Sequence, residues 1–141
     1  MNTNKFLVGG IVGGIAYFLL GWLVWGMLLM DFMTNNAGTA TGVMKTQAEM
    51  DWLYLVVGNI FSGLALSYVL NKASVSGAGA GAAVGAAFGL LITAGFDFTM
   101  LGVSNISTLK GSLVDIAAST VVTAIVGGIV GWYLGMGKKA A

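Results

Sequence analysis

The sequence predicts an all-α integral membrane four-helix bundle, and three observations carry that reading. Of 141 residues, 57% are hydrophobic and only 8% are charged, and the mean hydropathy is +0.93. A soluble domain keeps its surface wet with about 25% charged residues, so this chain cannot present a water-facing surface all round. Four apolar runs each meet the requirement of roughly 20 residues for a helix to cross the hydrocarbon core. The runs are long and continuous, unlike the short alternating strands of a membrane barrel.

The four predicted spans are Phe6–Met30, Trp52–Leu70, Gly77–Met100 and Leu113–Met136, in one domain covering 1–141. The first has a lysine before it, Lys5, as a cleaved leader does. Its apolar run is about twice the usual leader core of 7–15 residues, so it reads as a retained span. An outer loop, 31–51, is the longest polar stretch and is rich in turn formers. Trp52, Tyr54, Tyr68, Trp132 and Tyr133 stand near span ends, where amphipathic rings prefer the interface.

Orientation follows from lysine, because arginine is absent. Lys5, Lys72, Lys138 and Lys139 fall on the side of the termini. Lys45 and Lys110 fall on the other side, with Asp31, Glu49, Asp51, Asp97 and Asp115. The positive-inside bias therefore places both termini in the cytoplasm.

The third and fourth spans carry matching rows. Steps of four give Gly77, Gly81, Gly85, Gly89, Thr93 and Asp97 on one, and Asp115, Ser119, Thr123, Gly127, Gly131 and Gly135 on the other. Residues four apart are neighbours on a helix surface, and small residues let helices approach closely in lipid. The simplest geometry is a glycine-packed antiparallel hairpin, with Ser119 and Thr123 near Thr93 and the two aspartates together at the outer end. The second span repeats the row in diluted form through Asn59, Gly63 and Ser67. A shift of 64 positions sets Asp51 on Asp115, Gly63 on Gly127 and Leu70 on Leu134, which hints at a tandem two-helix repeat. Gly9, Gly10, Gly13 and Gly14 supply close-packing positions on the first span.

Chemistry is narrowly bounded. Cysteine and histidine are both absent, which removes thiolate metal sites, iron–sulfur clusters, the usual haem ligation and serine–histidine catalysis. With a net charge of +1 and no basic patch, nothing points to nucleic acid, and no cofactor is expected. Two groups remain. Asp97, Lys110 and Asp115 form a candidate functional or hairpin-capping cluster: a lysine-paired closure, or two carboxyls sharing a proton or a cation. Met27, Met30 and Met33 are weak candidates for Cu(I), which thioethers suit, against the plainer reading of flexible packing.

The stretch "FDFTMLGVSNISTLKGSLVDIAAS" resembles an uncharacterised family of small four-helix bacterial membrane proteins, domain of unknown function 2177. The residues that carry the likeness are Phe96-Asp97-Phe98-Thr99, Thr108-Leu109-Lys110-Gly111 and Val114-Asp115-Ile116-Ala117. "YFLLGWLVWGMLL", from Tyr17 to Leu29, resembles the related family 1761. Phe96 stands where the first family has tyrosine, and Ser112-Leu113 where it has tryptophan-proline. The resemblance implies a four-helix fold in a bacterial inner membrane, marks Asp97, Lys110 and Asp115, and implies no known activity.

Two functional expectations follow. The first is a non-catalytic accessory or packing subunit of a larger membrane complex, or a homo-oligomer, since glycine rows offer more packing surface than one bundle needs. The alternative is an oligomeric proton- or cation-coupled transporter or channel using Asp97 and Asp115, with Asn59, Thr93, Ser119 and Thr123 as its polar path. An aspartyl enzyme is not expected, because the glycine-x-glycine-aspartate motif of membrane aspartyl proteases is missing. The partners expected are the lipid bilayer, and other membrane subunits or further copies of this chain.

Overall fold

The computed structural model describes residues 2–136, and Lys138 and Lys139 lie outside them. The helices are α1 (Thr3–Leu23), α2 (Met30–Asn35), α3 (Trp52–Lys72), α4 (Ala78–Val103) and α5 (Leu109–Gly135). A π-helical turn, Val24–Leu28, continues α1, so the first apolar segment runs Thr3–Leu28. That segment, α3, α4 and α5 are each long and apolar enough to cross a membrane. Among the described residues there is no strand beyond one isolated bridge, so the chain is an all-α multi-pass membrane protein.

The four long helices form two antiparallel hairpins, α1 with α3 and α4 with α5. In the second, backbone meets backbone. A Cβ on Gly81 would strike the carbonyl oxygen of Gly127, and one on Gly131 would come within 2.7 Å of Gly81 Cα. Gly85 faces the Thr123 backbone, Gly89 the Thr123 side chain, and Gly135 lies against Gly77. Gly77 N–H donates across the pair to Gly131 O at 2.9 Å. In the first hairpin Gly63 is pressed against the backbone of Gly10, Gly13 and Gly14, and a Cβ on Gly14 would lie 2.7 Å from Ile60 Cα. The 64-residue shift thus pairs residues in like places at Gly63/Gly127 and at the buried Leu70/Leu134. It fails at the aspartates: Asp51 caps α3 through Leu53 N–H, whereas Asp115 lies inside α5.

The hairpins join through α5. Leu66 and Leu70 of α3 pack with Val122, Val126, Val130 and Leu134 of α5 in one buried cluster, and Val130 reaches Gly13 of α1. Contact between α3 and α4 is slight. The core therefore fills the half of the bundle near Lys5 and Lys72 and leaves the other half open between α3 and α4.

Polar contacts close both ends. Lys5 Nζ donates to the carbonyls of Leu134 (3.2 Å) and Met136 (2.7 Å), satisfying orphan acceptors at the negative end of α5. At the opposite end residues 36–40 are bonded to the α4–α5 turn. Gly38 N–H donates to Ile106 O at 2.8 Å, Ala40 N–H to Asn105 O at 3.0 Å, and Thr108 Oγ1 to Asn36 O at 2.7 Å.

Several span boundaries move. The first segment begins at Thr3 because Asn2 caps it, accepting from Lys5 N–H. Asp31 sits in α2 instead of opening a loop, since no turn former arrives before Asn35-Asn36. The largest change is in α5, which starts at Leu109 and not Leu113. Thr108 Oγ1 accepts from Gly111 N–H at 3.1 Å and caps the helix four residues earlier. Lys110 is thus helical and not in a loop.

Candidate functional site

Asp97 lies six residues before the end of α4 and Asp115 six after the start of α5. At 1.5 Å per residue that sets both about 9 Å inside their helices, deeper than the outer-end position the sequence predicts. Their carboxyl groups are neighbours across the α4–α5 contact. Two such groups hydrogen-bond only with a proton between them, and otherwise repel unless a cation joins them. Asp97 Oδ2 is sealed from solvent and receives no donor among the described residues. Asp115 Oδ1 does receive one: Trp25 Nε1–H donates to it at 2.6 Å.

Lys110 does not belong to this group. Its ammonium lies over the Phe32 ring, 5.6 Å from the centroid, and among the described residues it pairs with neither aspartate. Lys110 and Asp115 are five apart on one helix, about 500° of rotation at 3.6 residues per turn, so their side chains diverge. Of the two arrangements open from the sequence, the lysine-paired closure is not formed, and the two carboxyls stand together beside the Trp25 indole.

Beside the pair is a cavity of about 420 Å³, within the roughly 300–1,000 Å³ typical of small-molecule sites. All four polar residues expected to form a path line it. Asn59 enters from α3, Thr93 from α4, and Ser119 and Thr123 from α5. Asn59 Nδ2 is tied to Leu55 O at 2.8 Å, and the neighbouring Ser62 Oγ to Gly58 O at 3.0 Å. The Tyr17 hydroxyl from α1 faces Thr123. One turn beyond Thr93 is Asp97, and one turn beyond Ser119 is Asp115, so the acid pair continues the polar row past the cavity wall.

Trp25 joins the two features. Its ring lines the cavity while its N–H holds Asp115. It stands in the π-helical turn Val24–Leu28, the kind of interruption that recurs at functional sites because it re-aims a side chain within a helix. The polar-residue reading passes over Trp25, Tyr17 and Phe88, although a signal for two of them exists. Gly9, Gly13, Tyr17, Gly21 and Trp25 form a step-of-four row on the first span, glycine at one end and polar-tipped aromatics at the other.

The methionines lie apart from this site. Met27 is on the π turn and Met30 opens α2, both largely exposed, with Met33 half-buried further along α2. Among the described residues no three histidine, cysteine, aspartate or glutamate side chains gather in metal-binding range.

No family model, curated protein or solved structure matches the chain.

Proposed function

We propose that this is a non-catalytic membrane carrier whose ligand site is the cleft between the hairpins, and whose Asp97–Asp115 pair takes up and releases a proton during the cycle. The observation that carries the reading is the double role of Trp25, wall of the cleft and donor to Asp115. Whatever enters the cleft presses on the indole, and whatever changes the charge of the acid pair changes the hold on the indole. Coupling of this kind needs one element biased by both sites, and Trp25 fits that need. The buried cluster of Leu66, Leu70, Val126 and Val130 closes the cleft toward the Lys5 end, which favours a carrier over an open pore. We orient both termini toward the cytoplasm on the lysine bias, which puts the acid pair in the outer half of the membrane. The resemblance to the uncharacterised bacterial family fits a bacterial inner-membrane setting.

The test is proton flux in phosphatidylcholine vesicles holding the purified protein, followed with a trapped pH dye after an external pH step. The reading expects protein-dependent flux that Asp97→Asn and Asp115→Asn each remove. Flux indifferent to both substitutions overturns it.

One observation favours a second reading, the accessory subunit or homo-oligomer. The first two turns of α3, Trp52–Gly58, are exposed on every side, with Tyr54 at 73%. A stoichiometric partner or a second copy would cover that segment, and the mass of the native particle in mild detergent decides it.

A further inference from the structure

The cleft has a definite side from which it can be entered. Its floor is buried, formed by Gly89, Val122 and Thr123, where α4 lies against α5. Its rim is exposed: Ser62 and Ala65 on α3, and Ile92 on α4 at 59%. Since α3 and α4 barely touch, the opening lies between them and faces sideways. Its depth follows from the helices themselves. Ser62 is the middle residue of Trp52–Lys72, and Ile92 stands within two residues of the middle of Ala78–Val103. The mouth of the cleft therefore meets the hydrocarbon core near its centre, and not the water on either side.

We infer that the ligand is a neutral, membrane-dissolved amphiphile that enters sideways between α3 and α4. It offers a hydroxyl or carbonyl group to Thr93, Ser119 and Thr123. This rests on the reading of the cleft as the ligand site and adds the ligand's chemistry and route. Arrival through hydrocarbon selects an apolar body and excludes a formal charge, which is costly at that depth. The interior selects a hydrogen-bonding head. Thr93, Ser119 and Thr123 gather on the wall formed by α4 and α5, facing the mouth across the cleft. The aromatic faces of Tyr17, Trp25 and Phe88 supply apolar wall for the body.

Trp25 is a built-in reporter. The other three tryptophans, Trp22, Trp52 and Trp132, are each about half exposed and can be replaced by phenylalanine. The full-length single-Trp25 protein is placed in phosphatidylcholine vesicles with a long-chain bromoalcohol or the bromoalkane of equal length. Quenching is normalised to a variant whose only tryptophan is the lipid-facing Trp132. The inference expects the alcohol to quench Trp25 severalfold more strongly than the alkane. Thr93→Val with Ser119→Ala should remove that preference, and Ala65→Phe at the rim should suppress quenching by both. Equal quenching by alcohol and alkane, or quenching indifferent to Ala65→Phe, overturns the inference. If neither bromo-compound quenches but aqueous iodide does, the cleft is entered from water: the inference falls and the carrier reading stands. Silence to all three quenchers means a closed cleft, and both fall.

Discussion

Trp25 on the π-helical turn of the first span and Asp115 in the second turn of α5 are 90 positions apart in sequence, yet joined by a 2.6 Å hydrogen bond. The bond ties the first hairpin to the second at the edge of the buried cluster, against which the Trp25 ring also packs. Hydrogen bonds to charged partners contribute about 1.5–3 kcal/mol. Trp25→Phe keeps the ring and removes the donor, so it should destabilise the protein by an amount in that range. Unfolding in mixed micelles measures it, and Trp22→Phe, on an exposed site, is the control.

Glycines in this chain fall into two physical classes. Gly127→Ala places a methyl against Gly81 O and within 2.9 Å of Gly85 Cα, backbone atoms that move only if the helices part. Overpacking of that kind costs about 1–3 kcal/mol. Gly58 and Gly95 have no neighbour within 4 Å beyond their own helices among the described residues. Alanine there should be neutral or stabilise by up to about 1 kcal/mol, through the lower entropy cost of ordering a non-glycine residue. The same unfolding measurement separates the two classes.

Much of this hairpin was legible in the sequence, because a close helix contact in lipid demands small residues and the step-of-four rows at Gly81–Gly89 and Gly127–Gly135 write that demand out. Thr93, Ser119 and Thr123 were legible as a group for the same reason, lying on those rows. Three things were not. The start of α5 depends on one capping hydroxyl, Thr108, in a stretch whose Gly111 and Ser112 read as loop. Lys110 lies over Phe32 because α2 folds back over the α4–α5 turn, a long-range arrangement that local pattern does not encode. Trp25 stands unmarked in an apolar run, and only the three-dimensional meeting of the first span with α5 gives its N–H a carboxylate.

The early start of α5 has its own test. Thr108→Ala removes both the cap on Gly111 N–H and the bond to Asn36 O. Loss of such a cap costs about 1 kcal/mol. Faster hydrogen exchange should follow at the Gly111 and Ser112 amides, with the amides around Val126 unchanged.

Glu49 offers a pH-dependent check on the outer loop. Its carboxylate accepts from Thr46 N–H at 3.0 Å and Thr46 Oγ1 at 2.8 Å, which lowers its pKa below the ordinary glutamate value. A depressed carboxyl pKa gives stability that is fully present above the unfolded-state value and fades as pH falls through the folded-state value. The short 3₁₀ turn Gln47–Glu49 should therefore loosen only in acid. An NMR titration of Glu49 should give a midpoint below that of a free glutamate, and Thr46→Ala should bring it back.

In the proposed carrier the cleft and the acid pair act as one unit, and the indole N–H resonance of Trp25 reports on that directly. In the single-Trp25 protein the account predicts a strongly hydrogen-bonded indole signal that Asp115→Ala returns to the position of a free indole. Asp97→Asn should shift it as well, because the neighbouring carboxyl sets the charge on the acceptor. An indole signal unmoved by both substitutions would contradict the account, leaving the cleft and the aspartates as unconnected features of the same bundle.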